Sequence, residues 1–92
     1  MSSGSEVINS PKYLEAGKQF SIPGGTGGSL DITVLNLNDK DAATYTVVSD
    51  GSHTEYSNGS GGTKSITIPH HYSAITIANT SATSPIEVSW NT

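Results

Sequence analysis

The chain has no cysteine and no arginine, and its 92 residues include a single tryptophan, a single phenylalanine and a single methionine. Without cysteine there is no disulfide framework and no thiolate to bind metal or attack a substrate, so the fold must stand on packing alone, as suits a reducing compartment. Without arginine, four lysines face eight acids and the net charge is -4. That leaves little for counterion release, which argues against nucleic acid and anionic membranes as partners. No apolar run approaches the length that spans a bilayer, and MSSGSEVINS has neither a basic n-region nor an apolar h-region. A soluble, cytoplasmic protein is the expectation, one for which non-classical release stays open. On that view the sequons at Asn58 and Asn79 are chance matches.

What is present points to β-structure. Hydrophobic residues make up 33% and charged residues only 13%, so this is not the charge-rich composition of a disordered chain. Ser, Thr, Gly and Asn fill the difference, and they suit strands with one wet face joined by tight turns. Alternating runs occur at SEVIN (5–9), QFSIP (19–23), SLDITVLNL (29–37), ATYTVVS (43–49), SHTEYS (52–57), KSITIP (64–69), SAITIAN (73–79) and PIEVSW (85–90). In the third run Leu30, Ile32 and Val34 alternate and then give way to Leu35 and Leu37, a parity switch of the kind a β-bulge or a strand bending between sheets requires. Seven or eight short strands at this spacing predict one all-β domain over 1–92, an antiparallel β-sandwich of Ig-like or jelly-roll-like type, with residues 1–4 loose. Its predicted core includes Ile32, Val47, Ile66, Ile68, Ile75, Ile77, Val88 and Trp90. GGSLDITV (27–34) and GGTKSITI (61–68) are alike, but their flanks diverge, so they read as one structural solution used twice.

Asp50-Gly51 between two alternating runs is a strong hairpin signal, because a type I′ turn wants positive φ at both central positions. The turn sets a register in which Ser49 pairs with Ser52, Val48 with His53, Val47 with Thr54, Thr46 with Glu55 and Tyr45 with Tyr56. Tyr45, Val47 and Tyr56 then face the core, while His53 and Glu55 face outward near a glycine-rich loop with Asn58. The connection Pro-His-His-Tyr-Ser (69–73) is unusual for a turn, since it places two imidazoles and a phenol on a loop, where recognition groups commonly sit.

The residues argue against metal and against catalysis. His70 and His71 are adjacent and would diverge in extended backbone, which does not suit zinc. The run NLNDKDA (36–42) lacks the spacing of a calcium loop and reads as a turn. Asp50, Ser52 and His53 belong to one turn from which their side chains diverge, and the glycine loops lack the G-K-[ST] ending of a phosphate loop. No cofactor and no enzymatic activity is expected.

The blocks GGTKSITIP and ITIANTSATSPIEVSW, with the MSSGSE start, resemble the small cysteine-free cytosolic β-sandwich lectins and aegerolysin-like proteins of mushroom type. The resemblance implies a sugar or a lipid as ligand. Sugar binding asks for an aromatic face against the C–H side of the ring and polar groups for its hydroxyls. Asp50, His53, Glu55, Tyr56, Asn58, His70, His71 and Tyr72 are the candidates, with Trp90 assigned to the core by its parity with Ile86 and Val88. The resulting expectation is a lectin for neutral, galactosyl-type glycans, acting as a homodimer because a single shallow site gains from avidity. A lipid-binding or pore-associated protein and a structural or assembly subunit are the alternatives.

Overall fold

The computed structural model describes residues 11–91. They form eight strands: Lys12–Leu14 (β1), Gln19–Ile22 (β2), Leu30–Asn36 (β3), Ala43–Ser49 (β4), Ser52–Asn58 (β5), Thr63–Ile68 (β6), Ile75–Asn79 (β7) and Ile86–Asn91 (β8). No helix occurs among the described residues. One sheet runs β1-β8-β3-β6 and the other β2-β7-β4-β5, with every pairing antiparallel. First pairs with last, second with seventh, third with sixth and fourth with fifth, so the sandwich is of jelly-roll order rather than Ig-like. The predicted strand 5–9 lies outside the described residues. β1 was not predicted, since three residues are too few to show alternation.

The two sheets share one core. Leu14, Leu30, Ile32, Val34, Ile66, Ile86 and Val88 come from one sheet, and Phe20, Ile22, Ala43, Tyr45, Val47, Ile75 and Ile77 from the other. Each large apolar side chain so buried contributes roughly 1.5–3 kcal/mol relative to exposure. Ile68 and Trp90 have the predicted inward parity but are only half-buried, because they lie near the end of the sandwich and not at its centre. The like segments in β3 and β6 pair with each other, Leu30 opposite Ile68 and Ile32 opposite Ile66, so their Gly-Gly leaders lie at opposite ends of the molecule.

The two ends can be named by their connections. The upper end carries the Asp50-Gly51 turn, the glycine loop 23–29 between β2 and β3, the connection 69–74 between β6 and β7, and the last residues of β8. The lower end carries the connections 15–18, 37–42, 59–62 and 80–85.

The expected parity switch in β3 does not occur. Leu30, Ile32, Val34 and Asn36 all face inward, and Leu37 is 41% exposed. Asn36 keeps its inward place because its amide is fully used: Nδ2 donates to the carbonyls of Asp41 (2.9 Å) and Gly59 (3.0 Å), and Oδ1 accepts from the Asn38 backbone N–H (2.9 Å). Asn58 and Asn79 do the same at the ends of β5 and β7. Asn58 Nδ2 donates to Val34 O (2.9 Å) while its Oδ1 accepts from the Tyr45 hydroxyl (2.9 Å). Asn79 Nδ2 reaches Ser84 O (2.8 Å) and Leu14 O (3.0 Å), and its Oδ1 accepts from Ser81 N–H. Three buried amides thus tie the lower connections to the strand ends, leaving no unmet bond that would offset the gain.

Candidate functional site

At the upper end the glycine loop and the connection 69–74 lie side by side. Gly25 N–H donates to Tyr72 O (3.1 Å), Gly27 N–H to His71 O (2.8 Å) and His71 N–H to Gly28 O (3.0 Å). This close approach explains Gly24, Gly25 and Gly27, though not Gly28, which has open space around it. A Cβ on Gly25 would stand 2.7 Å from His71 Nδ1, and Gly27 has φ of 104° with the Tyr72 ring where its Cβ would be. Gly27 therefore meets both reasons for glycine, a positive φ and a close neighbour.

The loop covers His71 and leaves Tyr72 outside. His71 is 3% exposed, whereas Tyr72 is 66% exposed although its ring is held against Gly27. The Nε2 of His71 is buried and has no hydrogen-bond partner. It is the only buried side-chain nitrogen or oxygen among the described residues in that condition, and an unmet bond of this kind costs about 1–3 kcal/mol.

His71 also belongs to the wall of an open cleft of about 480 Å3. The glycine loop with Thr26 and Ser29 lines it, and Trp90 with Ile22 supplies apolar surface. Trp90 is anchored on Phe20 of the opposite sheet, with ring centroids 5.4 Å apart and planes tilted by 33°. The cleft lies within the 300–1,000 Å3 range of small-molecule sites and pairs an apolar surface with a few polar groups. On the far side of the His71–Tyr72 segment a hollow of about 40 Å3 is bounded by Ser49, Asp50, His70 and Ser73.

The structure brings Asp50, His70, His71 and Tyr72 together at this end. Asp50 and Gly51 have φ of 53° and 84°, as the predicted turn requires, and the hairpin register is as predicted at every pair. His53 and Glu55 are exposed on the outer face of β5, leading away from the turn. Tyr56 and Asn58 lie apart from the cluster. The Tyr56 ring stacks on Tyr45 (5.6 Å, 18°) with Lys64 Nζ 5.8 Å from its centroid. Asn58 is buried in the lower-end network rather than at the surface, because its amide joins Val34 to Tyr45. His71 is likewise buried rather than displayed, under the glycine loop.

Trp90, Thr26, Ser29 and the glycine loop were missing from the predicted site. Their signal was the pair of Gly-Gly steps in GGTGG, which marks a backbone approached closely by another segment. Among the described residues no group of three or more His, Asp or Glu side chains is placed to hold a metal ion. No helix of the described residues is long and apolar enough to cross a membrane. No protein-family model matches the chain, and no curated protein matches it.

Proposed function

We propose that the protein is a non-catalytic carbohydrate-binding module of lectin type, and that the sugar sits in the cleft between the glycine loop and Trp90. The observation that carries this reading is a cleft lined by both the single indole and an imidazole whose Nε2 is buried without a partner. A pyranose ring has an apolar C–H face suited to the indole, and hydroxyls suited to Thr26, Ser29 and the loop backbone. A sugar hydroxyl that reached this nitrogen would supply the partner that His71 lacks. Tyr72, exposed yet held in place, extends the contact at the rim.

Neutral sugars are favoured over sialate or sulfate, since a chain of net charge -4 without arginine offers no bidentate partner for an anion. Galactosyl-type sugars come first among them, because their axial hydroxyl leaves one ring face clear for stacking.

Trp90 is the single indole, so its fluorescence reports the cleft without interference. Titration with galactose and with glucose, alongside a glycan array, should shift or quench the emission with one neutral sugar. Vesicles of neutral and anionic lipid serve as the comparison. Emission unchanged by every sugar but altered by vesicles would overturn the reading in favour of a lipid ligand.

A further inference from the structure

We propose that the free edge of β5 is a self-pairing surface, and that two copies of the chain join there, antiparallel, about a two-fold axis through Thr54. The inference is independent of what the cleft binds. It starts from the four strands at sheet edges, β1, β6, β2 and β5. Edge strands invite pairing with another chain unless they are short or guarded by lysine or proline. β1 has three residues, contains Lys12 and follows Pro11; β2 has four, with Lys18 before it and Pro23 after; β6 contains Lys64 and runs into Pro69. β5 has seven residues with neither lysine nor proline, and its one acidic residue is Glu55.

The hairpin fixes which backbone groups β5 offers. In a two-residue hairpin the closing pair, here Ser49 and Ser52, is a hydrogen-bonded one, and such pairs recur at every second residue. Ser52, Thr54 and Tyr56 therefore direct their N–H and C=O groups toward β4, and His53, Glu55 and Ser57 direct theirs outward. No strand among the described residues meets that outer row. Ser52 and Thr54 have core-side parity yet are exposed, so this part of β5 is open on both faces as well as at its edge.

Only a few registers let outward groups meet outward groups. An axis through His53 sets imidazole against imidazole, and one through Glu55 sets carboxylate against carboxylate, which is unfavourable across a strand pair. An axis through Thr54 sets His53 against Glu55 of the second copy, and Glu55 against its His53. Two complementary pairs then form on the outer face, and each exchanges a pair of backbone hydrogen bonds. This is the isologous geometry of a closed dimer, in which one patch is its own complement.

The experiment exchanges the two side chains, and its double variant leaves composition unchanged. Sedimentation equilibrium of the full chain at about 100 µM, a range that captures weak dimers, should show a dimer for the native protein. His53→Glu or Glu55→His alone sets like groups against each other and should weaken the dimer about tenfold or more. The double variant His53→Glu/Glu55→His restores both pairs in the same register and should recover the native dimer. Far-UV CD confirms that each variant keeps its sheet content. A native monomer at that concentration overturns the proposal, and so does a double variant that dimerises no better than the single ones.

Discussion

The two ends of this sandwich are built from the same materials and finished in opposite ways. At the lower end Asn36, Asn58 and Asn79 are buried with the oxygen and nitrogen of each amide engaged, and Ser81 and Ser84 close the remaining bonds to Thr44 and Ala42. At the upper end one imidazole is equally buried and its Nε2 is left without a partner, in a residue that also lines an open cleft. A fold able to satisfy three amides with short, ordinary loops has no shortage of ways to satisfy a fourth polar group. The contrast therefore separates an end whose buried polar groups are all paired from one that keeps an unpaired buried nitrogen and carries a cleft. Burial alone does not distinguish them; the state of the hydrogen bonds does.

The largest test of that difference is Asn36→Asp. It replaces a donor to the Asp41 and Gly59 carbonyls by a carboxylate facing them, and should cost about 3–5 kcal/mol, as an uncompensated buried charge does. Urea unfolding measures it, and a loss below about 1 kcal/mol would mean that the lower network is not structural. Ile77→Ala, at a fully buried position between the two ends, should cost roughly 2–4 kcal/mol and gives the scale for apolar packing.

A third test uses pH. Burial, and next to it the neighbouring Tyr56, push the Tyr45 phenol up to about 12 from its ordinary 10.0. The folded state thus holds this proton more tightly than the unfolded one. Its contribution is complete below pH 10.0 and is lost as pH rises toward about 12. Melting temperature should fall across that window, and less steeply in Tyr45→Phe.

The upper end should respond in the reverse sense. His71→Leu removes the unmet nitrogen while keeping an apolar filler, so stability should change by less than about 1 kcal/mol or rise. Sugar binding, read by Trp90 fluorescence, should fall. If instead this variant is as damaging as Asn36→Asp, the two ends are not different in kind. Smallest in stability is Tyr72→Ala, expected within about 0.5 kcal/mol because the ring is exposed. Its effect should be confined to weaker binding in the same titration.

Much of the architecture was legible in the residues, and the reason is local. Asp50-Gly51 admits essentially one turn, and a two-residue turn dictates every pair along its arms, so Tyr45 opposite Tyr56 and Val48 opposite His53 follow. The alternation in β6, β7 and β8 identified Ile66, Ile75, Ile77 and Val88 as inward. What was hidden depends on partners distant in the chain. Asn36 reads as a polar turn residue until Gly59 and Asp41 are seen to accept from it. His71 reads as an exposed loop histidine until Gly25 and Gly27 cross over it. Trp90 was rightly given inward parity, but no pattern within β8 says that the sandwich opens where it lies.

The strand order also bears on how fast the protein reaches this state. Each pair in the series β4–β5, β3–β6, β2–β7 and β1–β8 encloses the one before, and only the first is local in the chain. A hairpin forms in about 1–10 µs, whereas all-β domains dominated by distant pairings fold in about milliseconds to seconds. Once the inner hairpin is closed, the loop that the next pair must close is effectively shorter, so assembly is cheapest when it proceeds outward from Asp50-Gly51. The first and last strands then meet at the end of the process. Substitutions at the two positive-φ residues of that turn should therefore slow refolding more than they speed unfolding.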